Sequence, residues 1–246
     1  MSIHAPSGNQ LLSRLPPAER QRLVDRMQPV TLNVKRVLYR TAAPIESVYF
    51  LNRGSVSTMT ILPDGSAVEV ATVGKEGLVG LGALRADKTS ANRVTVQIAG
   101  DALRMDLDVL EQEIAMDSPL RRVLRLYQTA FRTQMTYSVV CNMVHPVQQR
   151  CCRWLLITGD RVEADELSLT HEFLGIVLGV RRTTVSEVLR PLNRMGLVRN
   201  NRRSITILDR GGLEKLACQC YRRVKNEFER LLPMTGAQDP FTAATI

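Results

Sequence analysis

The sequence predicts an α+β protein: an N-terminal β-roll of the jelly-roll kind, one long helix, and a C-terminal helical hairpin completed by a β-hairpin wing. Three observations predict it. Between Val30 and Leu107 short β-rich runs alternate with turn signals; residues 120–145 contain neither proline nor glycine; and two amphipathic patterns after Leu169 lead into a basic hairpin. The 246 residues suffice for two cores. A composition of 44% hydrophobic and 23% charged residues excludes a disordered chain. The expected division is 1–117 for the roll with its N-terminal helices, 118–146 for the long helix, and 147–246 for the rest.

Leu11, Leu12 and Leu15, then Leu23, Val24 and Met27, recur at helical spacing. Pro16-Pro17 starts the second of these helices, because proline suits a first turn. Strand-like runs follow at 37–39, 47–51, 55–62, 68–73 and 93–98, separated by Asn52-Arg53-Gly54, Pro63-Asp64-Gly65, Gly74 and Ala99-Gly100-Asp101. Asp64-Gly65 is a hairpin signal, since glycine supplies the positive φ of a tight turn. Evenly spaced short strands build a small barrel or roll.

Pro119 and Pro146 bracket the long helix, which spans about 39 Å at about 1.5 Å per residue. Leu120, Leu124, Tyr127, Phe131 and Met135 form one apolar stripe along it. The stripe packs either on the chain's own core or on its copy in a second subunit. A helix this long between two units has few places for the first, so a homodimer is expected. Helical patterns return at 147–158, followed by a polar loop at 159–166, two short helices, a hairpin and a last helix.

Thr170 is placed to cap a helix whose inward face carries Phe173, Leu174 and Val177, and Gly179 permits a tight turn after it. In the next helix, at about 181–191, Val185, Val188, Leu189 and Leu192 fall on one side. Arg182, Thr183, Ser186, Glu187 and Arg190 fall on the other. Such a helix buries one stripe and presents polar side chains to a major groove. Arginine bonds guanine bidentately, and Thr or Ser bonds bases or phosphates. Pro191 is expected to kink or shorten the helix. Residues 198–208 read as a wing with Arg199, Asn200, Asn201, Arg202 and Arg203 at its tip.

The net charge of +9 favours a polyanion, and its distribution says more. Arginines stand at 181, 182, 190, 194, 199, 202 and 203, opposed only by Glu187, whereas a merely solvated face mixes signs. Together with the hairpin and wing, this makes a nucleic acid the expected partner, and a helix shaped for a major groove suits double-stranded DNA. Thr170, Arg181, Arg190, Arg199, Arg202 and Arg203 are expected at its backbone. A signalling adaptor responsive to cyclic nucleotides, using the same helices for protein contacts, is the second reading.

The stretch LSLTHEFLGIVLGVRRTTVSEVLRPLNRMGLVRNNRRSITILDR resembles the winged helix-turn-helix of the Crp/Fnr family of transcription regulators. Upstream, Val48-Tyr49-Phe50-Leu51 and the turn Gly74-Lys75-Glu76-Gly77-Leu78-Val79-Gly80 resemble that family's cyclic-nucleotide-binding-like sensor domain. The long helix is similar to its dimer helix, so the resemblance runs from about Leu11 to Leu232. It implies base contacts at Arg182, Thr183 and Ser186, with Arg181 near the backbone. It also implies a homodimer on an inverted repeat, and RNA polymerase as a partner if the protein activates. Glu187 stands where members responsive to cyclic AMP carry arginine. It either accepts from cytosine N4 or pairs with Arg190 or Arg194.

Rolls that bind cyclic nucleotides hold the ligand with a Gly-Glu segment and a downstream arginine. Here Gly80-Leu81-Gly82-Ala83-Leu84 puts leucine in the glutamate position, and Arg93 is out of step by about two residues. The effector site at Gly80, Leu81 and Arg93 is thus degenerate. Cyclic AMP is not expected to bind, and no cofactor or other effector is assigned.

The family's oxygen sensors hold an iron–sulfur cluster on N-terminal cysteines, but no cysteine precedes Cys141. His4, His145 and His171 do not indicate haem, and His145 reads as structural. The five cysteines, an odd number, argue against a disulfide framework. Cys218-Gln-Cys220 lies in a helical pattern that turns its thiols apart, so no metal site is expected.

No zinc-protease, serine-hydrolase, phosphate-loop or dinucleotide motif is present, and an enzyme is not expected. No apolar run approaches the roughly 18 residues of a membrane span, and the first residues lack a secretory pattern. A cytoplasmic protein without a membrane partner is expected.

Overall fold

The computed structural model describes residues 8–84, 87–115 and 117–233. His4 and the end of the assigned C-terminal unit lie outside them. The chain opens with α1 (Gln10–Ser13) and α2 (Pro17–Val24). The Asn9 carboxamide caps α1 by accepting from Leu11 and Leu12 N–H groups at 3.0 and 3.2 Å. Its Nδ2 donates to the Leu51 and Gly77 carbonyls at 2.9 and 2.8 Å, which fastens this end of the chain to the roll.

The roll comprises β1 (Gln28–Leu32), β2 (Val37–Tyr39), β3 (Ser47–Ile61), β4 (Ala67–Val73), β5 (Leu78–Val79), a 3₁₀ turn (Leu81–Leu84) and β6 (Arg93–Asp106). Its antiparallel sheet runs β1-β6-β3-β4, with β2 also on β6 and β5 on β3. The expected Pro63-Asp64-Gly65 hairpin joins β3 to β4, with Gly65 at φ +84°.

Two other expected turns are not turns. Asn52-Arg53-Gly54 and Ala99-Gly100-Asp101 lie inside β3 and β6, facing one another where the register slips around the Arg53–Asp101 pair. Gly54 adopts φ +89°, and a Cβ on Gly100 would fall 2.1 Å from the Arg53 carbonyl oxygen. The glycines let two backbones approach at a bulge, which bends both strands without ending them.

After α3 (Leu107–Ala115) comes the long helix, α4 (Pro119–Val144), capped by the Ser118 hydroxyl accepting from Arg121 N–H at 3.2 Å. Its expected apolar stripe is not a free seam. Leu120, Leu124 and Tyr127 are buried in the roll's own core, and half-buried Phe131 packs against that core. Phe131 and Met135 also line a cavity of the roll. The roll's open face supplies the intrachain packing surface that periodicity alone does not reveal.

α5 (Val147–Val162) extends past the expected loop start at Gly159 and ends at Glu163, which takes a left-handed φ of +51°. The added turn matters. It places Arg161 Nε 2.7 Å from Glu76 Oε1 on the roll, while Trp154 Nε1 donates to Glu69 Oε1 at 2.9 Å. Gln134 of α4 links the same region through a bond to the Thr72 carbonyl at 2.9 Å.

The second core holds β7 (Glu166–Leu167), α6 (His171–Leu178), α7 (Arg182–Arg194), β8 (Val198–Asn200), β9 (Ile205–Ile207) and α8 (Arg210–Leu216). β7 is a short strand beside the wing, giving the order β7-β9-β8. The last helix, α9 (Cys220–Leu231), begins in this core at Tyr221. It then runs back along α4, so that Leu231 and Leu232 complete the first core, with Phe228 packed on it.

Cys218 is not in a helix interior, as the sequence pattern suggests. It sits in the joint before α9, and its thiol turns toward that of Cys141 at 3.4 Å.

Candidate nucleic-acid interface and sensor cavity

α6 and α7 are set by their caps and by one turn. The Thr170 hydroxyl accepts from Phe173 N–H at 3.2 Å, and Gly179 ends α6 at φ +63°. That conformation costs glycine no Cβ clash. Its N–H and that of Val180 close on the Ile176 and Gly175 carbonyls. Arg181 then stands at the α7 N-cap in extended conformation.

α7 divides as expected. Val185, Leu189 and Leu192 are fully buried in the second core, against residues that include Leu174 and Val177 of α6. Arg181, Arg182, Thr183, Glu187 and Arg190 are exposed. Pro191 does not shorten the helix, which continues to Arg194. Proline removes one ladder bond, and Met195 N–H still reaches the Pro191 carbonyl at 3.0 Å. Glu187 does not use the pairing anticipated with Arg190 or Arg194; the salt bridge of this face joins Arg182 Nε to Glu172 Oε1 at 2.9 Å.

Ser186 departs from expectation. It is half-buried, with its hydroxyl 3.1 Å from His171 Nδ1, and it also donates to the Arg182 carbonyl at 3.3 Å. The other ring nitrogen of His171 lies 2.9 Å from Asn200 Oδ1 on the wing. One imidazole therefore bridges the first helix, the second helix and the wing. Sequence reasoning leaves His171 unassigned; its place directly after the Thr170 cap is the available signal. Arg199, Arg202 and Arg203 are exposed at the wing, whose tip is closed by Asn201 N–H on the Ser204 carbonyl at 2.9 Å.

In the roll, residues of β2, β5, the 3₁₀ turn and α4 line a half-open cavity of about 350 Å³. Gly80 and Leu81 line it. Exposed Arg93, paired with Met59 across the sheet, is not among its lining residues; the arginine there is Arg132 of α4. Much of its polar lining is already engaged. The Tyr39 hydroxyl donates to the Ser47 carbonyl at 2.7 Å, and Ser90 donates to the Asn92 carbonyl at 2.7 Å. Burial pushes the Tyr39 phenol well above its usual range, so it stays protonated.

A roll fed by a long helix into a winged helix-turn-helix defines a two-domain DNA-binding transcription regulator of sensor-plus-reader design. The cyclic nucleotide-binding domain model matches residues 29–117, and the Crp-like helix-turn-helix domain model matches residues 149–216. The chain belongs to the Crp/Fnr family of transcription regulators.

The transcriptional regulator LdrP of Thermus thermophilus is 27% identical over 196 residues, which is 74% of this chain and 93% of that one. Among solved structures, FixK2 of Bradyrhizobium japonicum aligns with a TM-score of 0.68 at 20% identity, covering 78% of this chain and 98% of its own. TTHB099, a CRP-family transcriptional regulator that is also from Thermus thermophilus, aligns at 0.64 and 21% identity, covering 76% and 96%. No helix among the described residues is long and apolar enough to cross a membrane.

Proposed function

We propose that the protein acts as a homodimer that reads an inverted repeat in double-stranded DNA. Arg182, Thr183 and Glu187 meet base edges. Thr170, Arg181, Arg190, Arg199, Arg202 and Arg203 meet the backbone. The observation that carries this reading is the two-sidedness of α7: Val185, Leu189 and Leu192 fully buried on one face, Arg182, Thr183, Glu187 and Arg190 exposed on the other, flanked by a basic wing. Ser186 serves as a positioning residue, because its hydroxyl is held by His171.

The dimer seam belongs to a different face of α4 from the buried stripe. Thr129, Thr133, Thr136, Val140 and Met143 follow alternating spacings of four and three, the pattern of a paired helix. Each threonine hydroxyl donates to the carbonyl four residues back, at 3.1–3.3 Å, which takes up its polar group within its own helix. Met143 is 80% exposed and Val140 41%, which supports a second copy as their cover. Pairing there sets two recognition helices about 34 Å apart, one DNA turn.

Leucine at position 81 and the outward Arg93 support a sensor that does not use cyclic AMP. If the protein activates, its further partner is RNA polymerase.

Selection from random duplex DNA, with and without cyclic AMP, is expected to enrich one inverted repeat in both arms. Arg182→Ala is expected to relax preference at one base pair, by about 1–3 kcal/mol. Arg202→Ala weakens specific and random DNA alike and makes the salt slope shallower by about one. Equal loss on both DNAs for Arg182→Ala removes it as a base reader. A salt-insensitive contact assigns the surface to a protein instead. The pair Val140→Asp and Met143→Asp is expected to give monomers in sedimentation equilibrium; an intact dimer places the seam elsewhere.

A further inference from the structure

Cys141 and His145 lie four residues apart near the end of α4, and hence on one face. Cys218 and Cys220 lie at the α8–α9 joint. Although 77 residues separate Cys141 from Cys218, the four ligand atoms all fall within 4.8 Å of one another. Cys141 Sγ is 3.4 Å from Cys218 Sγ, and Cys220 Sγ is 3.7 Å from His145 Nδ1. A tetrahedral zinc ion with Zn–S of about 2.3 Å and Zn–N of about 2.0 Å places its ligand atoms roughly 3.5–3.8 Å apart. The spacing suits one four-coordinate ion and is too tight for the wider ring of sulfurs around an iron–sulfur cube.

We propose that Cys141, His145, Cys218 and Cys220 form a binding site for a single soft divalent metal ion of the zinc class.

A second observation points the same way. Arg153 is 8% exposed, and its Nε is buried without a hydrogen-bond partner. Its Nη2 donates to the Ser138 hydroxyl of α4 at 3.4 Å, about one turn before Cys141. Three thiolates, one neutral imidazole and a divalent ion sum to one negative charge, which the Arg153 guanidinium balances.

On binding, the three sulfurs form bonds to the ion and release their protons to solvent, with no change of oxidation state. His145 is half-buried and directly precedes Pro146, so the ion ties the elbow between α4 and α5 to the start of α9. It becomes a clamp between the long helix and the DNA-reading unit. Three of the four groups are fully or nearly fully buried, as suits a closed structural site.

The test uses the full chain without an affinity tag, reconstituted with zinc and, separately, with cobalt(II). One ion per chain is expected. The cobalt form should show intense tetrahedral d–d bands and thiolate-to-cobalt charge transfer. Cys218→Ser and His145→Ala should each weaken zinc binding more than about 100-fold, since even loss of an outer-shell partner weakens affinity 10–100-fold. Cys151→Ala, whose thiol belongs to the second core, should keep the full complement. His145→Ala removes a half-buried group at a helix end, so the test survives if Cys218→Ser fails to fold. Substoichiometric metal in the reconstituted chain overturns the proposal. So does a cobalt spectrum without charge transfer, or a Cys141–Cys218 disulfide in protein purified without oxygen.

Discussion

Tyr127→Ala is expected to lower the stability of the folded chain by about 3–5 kcal/mol, the range for emptying a buried aromatic site. The side chain is fully buried among the roll, α4 and α9. Its ring stands edge-on to Phe228 at 6.3 Å and tilted to Phe131 at 5.9 Å, while its hydroxyl donates to the Leu78 carbonyl at 3.3 Å. A Cβ on Gly77 would lie 2.2 Å from that hydroxyl, so the chain passes directly across the ring. Urea unfolding measures the loss, and sedimentation equilibrium on the same variant is expected to show self-association changed less than about threefold, because the side chain is buried against its own chain. A small loss of stability with markedly weaker self-association would return Tyr127 to a subunit seam.

The second large effect is a gain. Glu69→Gln is expected to stabilise the protein by about 3 kcal/mol at pH 8 and by nothing near pH 4. Burial pushes the Glu69 carboxyl from 4.5 up to about 7, against the opposing hydrogen bonds from Ser57 and Trp154 and the charges of Arg161 and Arg153. Below about pH 4.5 the group is protonated whether the chain is folded or not, and it makes no difference to stability. Between about 4.5 and 7 the unfolded chain gives up the proton while the folded chain keeps it, so stability falls as pH rises. Above about 7 the deficit is constant.

Glutamine is neutral throughout. Its oxygen accepts from Trp154 and its amide donates to Ser57, so both bonds survive. Thermal unfolding of the two proteins between pH 4 and 8 measures the difference. Parallel curves, or a variant weaker at every pH, would mean that Arg153 and Arg161 keep Glu69 ionised in the fold.

The elements legible in the sequence are those whose signal is local. Thr170 before an apolar run, Gly179 between two such runs, and Asp64-Gly65 between β-branched segments each encode a cap or a turn within a few residues, and the structure has them there. What stays hidden depends on partners distant in sequence. Gly54 and Gly100 look like two turns because their reason for being glycine lies across the sheet. The stripe from Leu120 to Met135 looks like a seam because the roll that covers it is built by other segments. The proposed seam is obscured for a different reason: threonines read as polar until their hydroxyls are seen to bond back to their own helix.

The two sides of α7 are legible in outline, since amphipathicity distinguishes the buried from the open one. Within it, the roles of Ser186 and His171 are not legible, because a hydrogen bond between side chains 15 residues apart leaves no periodic trace. The cysteines show the same limit. A CxC pair and a CxxxH pair are each commonplace, and only the return of α9 along α4 makes them neighbours.

That return also bears on how the protein is made. Synthesis completes the strands of the roll at Asp106, and in most multidomain chains the first unit to leave the ribosome also finishes folding first. Here the floor under the roll needs α4, and its last pieces are Phe228, Leu231 and Leu232. The first unit synthesised is therefore the last to be sealed. Until α9 has emerged from the ribosome, a nascent roll exposes the apolar surface around Tyr127, and the second core, which needs Leu213 and Tyr221, closes only as the same helix arrives.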